Sequence, residues 1–255
     1  MRTSGNTVLI TGGASGIGLA LAQRFLQAGS EVVVCGRREE KLREAQQKFP
    51  ELHTRVCDVS DASNREDLFS WTTKQFPAVN VLVNNAGIQQ RVNLLSGHPD
   101  WHSLHQEIAA NLEGPVHLTT LFIPHFLTQE NSAIINVSSG LAVTPAVWAP
   151  VYSATKAGLH SFTRSLRIQL SGTNTSVVEI LPPAVNTDLG GPGLHTFGAP
   201  LNDFADSVFA ELSQGIVEIG YGSSKERLKS SHEEIERGTR AMWENFLKNN
   251  PDFLR

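Results

Sequence analysis

The chain has 255 residues, of which 40% are hydrophobic and 18% charged, and a formal net charge of −4. That balance suits a folded α/β protein with a buried core, excludes a disordered chain, and gives no basis for a nucleic-acid surface. No run approaches the roughly 18 apolar residues of a membrane span, and the start lacks a basic stretch leading into an apolar one, so a cytoplasmic protein without a membrane partner is expected.

In chain order, short β-branched runs alternate with helical patterns. TVLIT (7–11) reads as a strand and GIGLALAQRFLQAG as a helix ending at Gly29. EVVVC (31–35) is a strand, and REEKLREAQQKF a helix stopped by Pro50. HTRVCDV (53–59) precedes a helix stopped by Pro77, and VNVLVNNAG (79–87) is a strand entering a turn. Two helices fill 99–129, SAIINVSS (132–139) is a strand, 151–171 a long helix and TSVVEILPP (175–183) another strand. The Gly- and Pro-rich segment 188–200 reads as an irregular loop. A helix over LNDFADSVFAEL, a short strand over IVEIGYG (216–222) and one amphipathic helix over 225–246 complete the chain. The strands are apolar almost throughout, which fits a sheet covered on both faces. The alternation predicts a single-domain, doubly wound parallel sheet over 1–255, a Rossmann fold, with 223–255 an added C-terminal helical segment. Cys35 and Cys57 each end an apolar run and read as buried thiols rather than a disulfide or metal site.

TGGASGIG (11–18) links the first strand to the first helix. Gly12, Gly16 and Gly18 let the backbone turn tightly and approach a ligand, and the helix N-terminus offers N–H groups to a phosphate. That setting points to a dinucleotide. With NNAG at 84–87, Asn111 in NLEG, Ser138-Ser139 at a strand end and YSATK at 152–156, the chain resembles the short-chain dehydrogenase/reductase superfamily over about residues 5 to 190. The resemblance implies that Ser15, Ile17, Asp58, Val59, Asn84, Ala86, Gly87, Pro182, Val185 and Thr187 line a cofactor cleft.

The end of the second strand bears on which dinucleotide. An acid there would hold the ribose 2′-hydroxyl and repel a 2′-phosphate. The chain instead has Gly36 followed by Arg37 and Arg38, and a guanidinium can grip a phosphate, so NADP(H) is expected over NAD(H). The plainer reading is that both arginines only start a solvated helix.

Tyr152 and Lys156 are one helical turn apart and share a face. A free phenol titrates near pH ~10, and a neighbouring ammonium lowers that value. The expected chemistry is therefore hydride exchange with a small carbonyl or secondary alcohol, Tyr152 giving or taking the proton. Ser139 at a strand's carboxyl end can steady the carbonyl oxygen. By resemblance, Lys156 also holds the nicotinamide ribose, Asn111 holds a water linking Lys156 to solvent, and the catalytic set is Asn111, Ser139, Tyr152 and Lys156. A non-catalytic NADP(H) sensor of the same fold is the alternative.

The chain departs from the family at Pro182-Pro183-Ala184, where a Pro-Gly is usual, and in its ending, which resembles a DltE-like bacterial branch. The loop after the sixth strand looks short, which implies an open pocket. Trp148 and Phe197 flank the expected mouth, though packing is the simpler reading of each. His98, His102 and His105 form one helical stripe with no carboxylate clearly placed to complete a metal site, so no metal is expected. By resemblance the helices near 111–129 and 151–171 pair subunits into a homodimer or homotetramer.

Overall fold

A computed structural model describes residues 2–97, 99–191 and 193–254. Seven parallel strands form one sheet in the order β3-β2-β1-β4-β5-β6-β7. They are β1 (Thr7–Thr11), β2 (Glu31–Gly36), β3 (His53–Val56), β4 (Val79–Asn84), β5 (Ser132–Val137), β6 (Thr175–Leu181) and β7 (Glu218–Gly220). The helices between them are α1 (Gly16–Gln27), α2 (Glu39–Lys48), α3 (Ala62–Gln75), α4 (Trp101–Ile108), α5 (Gly114–Phe126), α6 (Pro150–Gln169) and α7 (Leu201–Ser213).

β1 shows why the strands read as unbroken apolar runs. Val8 and Ile10 join one buried cluster with Phe25 of α1 and Phe204 of α7. Leu9 between them joins another with Phe122 of α5 and Leu166 of α6. Both faces of the sheet are thus covered, as an all-parallel sheet requires. Strand order reverses between β1 and β4, and there the carboxyl ends open a crevice.

Several boundaries differ from expectation. β3 stops at Val56, three residues early, because the chain leaves this edge position after Cys57 N donates to Gly36 O (3.0 Å). β7 keeps three residues, each paired only with β6. The final helix is two helices, α8 (Ser223–Arg227) and α9 (His232–Asn249). Ser231 starts α9 with a capping box: its hydroxyl accepts from Glu234 N, and its own N–H donates to Glu234 Oε2 (2.7 Å). Between α4 and α5 the chain does not stop but widens into a π-helical turn, Ala109–Glu113. Gly114 begins α5 against β3's exit: a Cβ there would meet Val59 O at 2.9 Å. Both cysteines are free and buried.

Candidate active site

The crevice is part of a cavity of about 1900 Å³ that runs from the glycine loop to the C-terminal helix. At one end, Gly12 has a φ of +64°, and a Cβ on it would lie 2.8 Å from Ala86 Cα. Only glycine lets the β1 loop pass that close to the β4 turn. Gly12, Ser15, Gly16 and Ile17 line the cavity, and so do Asp58, Val59, Ala86, Gly87, Pro182, Val185 and Thr187.

Gly18 does not line it: a Cβ there would collide with Gly12 O and Asn85 Nδ2 at 2.5 Å, so it packs the helix onto the loop. Asn84 also faces elsewhere. It is buried inside the sheet, donating to Asn136 Oδ1 (2.8 Å) and Thr119 Oγ1 (3.2 Å). Its neighbour Asn85 takes the lining position and ties the β4 turn to Thr11 O (2.9 Å).

A mononucleotide cradle fits these residues. The loop leaves room that side chains would fill, and a Cβ on Gly36 would meet nothing within 4 Å. Around that gap stand Arg37, Arg38 and Lys41. Arg38 Nη2 donates to Ser15 Oγ (3.4 Å), bridging the gap's two sides. Arg37 Nη1 lies 3.7 Å from Asp58 Oδ2, a loose and largely solvated pairing. Asp58 turns its other oxygen to Ser60, accepting from its N–H (2.9 Å) and hydroxyl (2.7 Å).

At the centre, β5 ends in Ser138 and Ser139, which diverge. Ser138 donates to the buried Glu179 carboxylate, itself 2.9 Å from His160 Nδ1. Ser139 lines the cavity and caps a 3₁₀ turn over Gly140–Ala142, its hydroxyl accepting from Leu141 N (3.1 Å). α6 begins with Pro150, suited to a first helical turn, and brings Tyr152 and Lys156 to the same wall. Both are almost wholly buried. Lys156 Nζ lies 5.6 Å from the Tyr152 ring centroid and donates to Val137 O (2.9 Å).

The protein's own groups do not acidify the phenol. Burial pushes the Tyr152 pKa up to about 12, against a smaller downward pull from the Ser139 hydroxyl. Burial pulls Lys156 down to about 8, against the nearby Glu107 and Glu179 carboxylates. Desolvation thus dominates both groups, and the Tyr152 shift runs opposite to the one expected.

Asn111 sits behind this wall rather than on it, in the π-helical turn. Its side chain grips Ile88 at both backbone groups, accepting from N and donating to O (2.8 Å each), and reaches Thr155 Oγ1 (3.2 Å). One turn earlier is Glu107, which no motif flagged. It is fully buried; Oε1 accepts from Gln90 N (3.3 Å) and Oε2 has no partner. Burial pushes its carboxyl up to about 7. The available signal was slight: an acid four residues before Asn111, just ahead of the short apolar run 108–110.

The far end is less open than a short loop implies. A bridge between Val185 and Ala199 draws the chain back there, and α9 closes the remainder with Met242, Asn245, Phe246 and Asn249. Trp148 stacks on Phe246 at 4.5 Å, so it packs and lines at once, while Phe197 is exposed at the rim. Pro183 does not disturb the strand end: Pro182 O accepts from Gly140 N (2.9 Å). Of the histidine stripe, His98 lies outside the described residues. His102 Nε2 contacts Gln106 Nε2 (3.1 Å), and His105 lies 3.9 Å from Glu113.

Residues 6–194 match the family model for short chain dehydrogenase. The chain belongs to the short chain dehydrogenase family. It is 46% identical over 224 residues to the uncharacterized oxidoreductase DltE of Bacillus subtilis, covering 86% of this chain and 89% of that one. This places it in a DltE-like branch, as an oxidoreductase. Two solved dehydrogenases share the fold. One from Burkholderia cenocepacia, in complex with NADP, has a TM-score of 0.78 and 24% identity, covering 98% of each chain. One from Burkholderia phymatum, in complex with NAD, has a TM-score of 0.82 and 21% identity, covering 93% of this chain and 96% of that one. Members of this dehydrogenase family with either nicotinamide cofactor therefore share its architecture.

Proposed function

We propose that the protein is an NADP(H)-dependent carbonyl reductase or alcohol dehydrogenase, with Tyr152 as the proton-transfer group. The observation that carries this reading is the convergence of Ser139, Tyr152 and Lys156, all nearly buried, on one cavity that also contains the glycine cradle. A bound nicotinamide supplies the hydride or accepts it. The chain's residues do the rest. Ser139 donates to the carbonyl oxygen and steadies its developing charge. Tyr152 passes a proton to that oxygen in reduction and takes it back in oxidation. Lys156, anchored on Val137 O, holds the ribose hydroxyls and the positive charge beside the phenol. Asn111 fixes the 85–88 turn against α6 and so keeps the wall in register.

NADP(H) is preferred because Gly36 leaves space for a 2′-phosphate and three cations surround that space. Residues 1–255 act as one catalytic unit, paired through α5 and α6 into a homodimer or homotetramer. The two free thiols suit the reducing cytoplasm. A cofactor sensor would keep the cradle but gain nothing from a tyrosine and lysine buried at such cost.

The test is NADPH oxidation across a panel of carbonyl compounds. Tyr152→Phe is expected to lose on the order of a thousandfold in kcat, with NADPH affinity changed less than about threefold. Tight NADPH binding without Tyr152-dependent turnover would favour the sensor.

A further inference from the structure

Of the cavity's cations that the chemistry above leaves unused, Arg227 is the one beside Ser139; Arg91 instead stacks on the Phe246 ring (5.3 Å) and donates to Asn250 Oδ1 (3.3 Å). Arg227 ends α8, whose position is fixed by Ser224: that buried hydroxyl donates to Leu181 O at the end of β6 and accepts from Tyr221 N (3.0 Å). One turn on, the guanidinium is directed toward the reaction centre. Its Nη1 lies 3.5 Å from where a Cβ on Gly140 would stand, beside Ser139.

Its partners are poor. Nη2 donates to the Met242 thioether (3.3 Å), a weak acceptor, and no carboxylate lies within 4 Å among the described residues. Among the described residues two carboxylates line the cavity, and Asp58 is at the opposite end, near Arg37. The other, Asp188, forms no ion pair with Arg227. Burial already pulls the Arg227 pKa down, which marks a charge removed from water without compensation. Apart from Arg91, the surroundings are neutral donors and apolar walls, including Asn245 and Asn249 of α9. His195, from the 188–200 loop, also lines the cavity, with both ring nitrogens lacking a hydrogen-bond partner.

We propose that Arg227 binds an anionic group, a carboxylate or sulfonate, on the carbonyl substrate, so that the protein reduces short oxo acids in preference to neutral ketones or aldehydes. A planar guanidinium pairs such a group through two parallel hydrogen bonds. Its closeness to Ser139 means that the anionic group and the reacting carbonyl belong to one small molecule, a few bonds apart. The inference rests on the reductase reading and names its substrate class.

The experiment compares acetoacetate and 4-oxobutanoate with their methyl esters, and an oxoalkyl sulfonate of equal length, using wild type, Arg227→Met and Arg227→Lys. Wild type should favour the acids over the esters by about ten- to a hundredfold in kcat/KM. Arg227→Met should raise KM for the acids by a similar factor and leave the esters and NADPH affinity unchanged, while Arg227→Lys keeps part of the preference. A sulfonate preferred over both carboxylates would name the anion without changing the site. In parallel, succinate should raise the melting temperature of wild type above an ionic-strength control, and not that of Arg227→Met. Arg227→Met should itself melt no lower than wild type, since an uncompensated charge is removed. Equal use of acid and ester by wild type overturns the inference and leaves the reductase reading standing. If no carbonyl compound is turned over, the reductase reading fails, and a succinate shift that is absent or survives in Arg227→Met overturns the anion site too.

Discussion

Tyr152 and Glu107 are hidden from solvent, and burial pushes both toward their protonated forms. For Tyr152 this suits delivery of a proton in reduction and makes alcohol oxidation depend on added positive charge in the site. Glu107 works against the phenolate, because a carboxylate nearby disfavours a second anion. Glu107→Gln should therefore shift the rising limb of the alcohol-oxidation pH profile to lower pH. The same variant has a signature in stability. A carboxyl whose folded pKa lies near 7 against about 4.5 when unfolded contributes most at low pH, and that contribution is lost as pH rises toward 7. Glu107→Gln should thus gain melting temperature relative to wild type at pH 8 and gain less at pH 5. An equal change at both pH values would show that Glu107 is not titrating in this range. Residue by residue, the sequence located Ser139, Tyr152 and Lys156 because their spacing is tied to one strand end and one helical turn. It misplaced Asn84 because both faces of β4 are buried, so hydrophobic pattern does not say which of two adjacent asparagines faces the crevice.

Among the elements, the strands were the most legible, since runs such as VVVC and AIIN are too apolar and too short for anything but a covered sheet. The C-terminal region was less so. Its amphipathic pattern runs on through 225–246, but the local competition at Ser231 and Glu234 outweighs periodicity and starts a new helix. The sequence Ser-His-Glu-Glu carried that signal. Ser231→Ala should cost about 1 kcal/mol, read by denaturant unfolding, with faster amide exchange confined to the first turns of α9. Exchange rising across the whole sheet would mean that α9 does not open separately. The π-helical turn at Ala109–Glu113 was not legible at all, because it goes with a long-range contact, Asn111 gripping Ile88 at both backbone groups.

At the level of the whole molecule, the outer face of α6 is exposed at Ser161, Ser165 and Ile168, the last with 74% of its surface accessible. An apolar residue so placed on a long helix suits the proposed pairing of subunits. Combining Ser161→Arg with Ile168→Glu should lower the mass of the proposed dimer or tetramer in light scattering; an unchanged mass would move the interface elsewhere. The division of labour along the chain has a wider consequence. The family match spans 6–194, whereas Arg227, Met242 and Phe246 lie beyond it, on α8 and α9. On the proposed reading, the reacting groups and part of the wall that selects what reaches them are thus encoded in separate stretches of chain. Under that reading, evolution or an engineer could exchange the last thirty or so residues to redirect the protein while the proposed proton-transfer apparatus stays as it is.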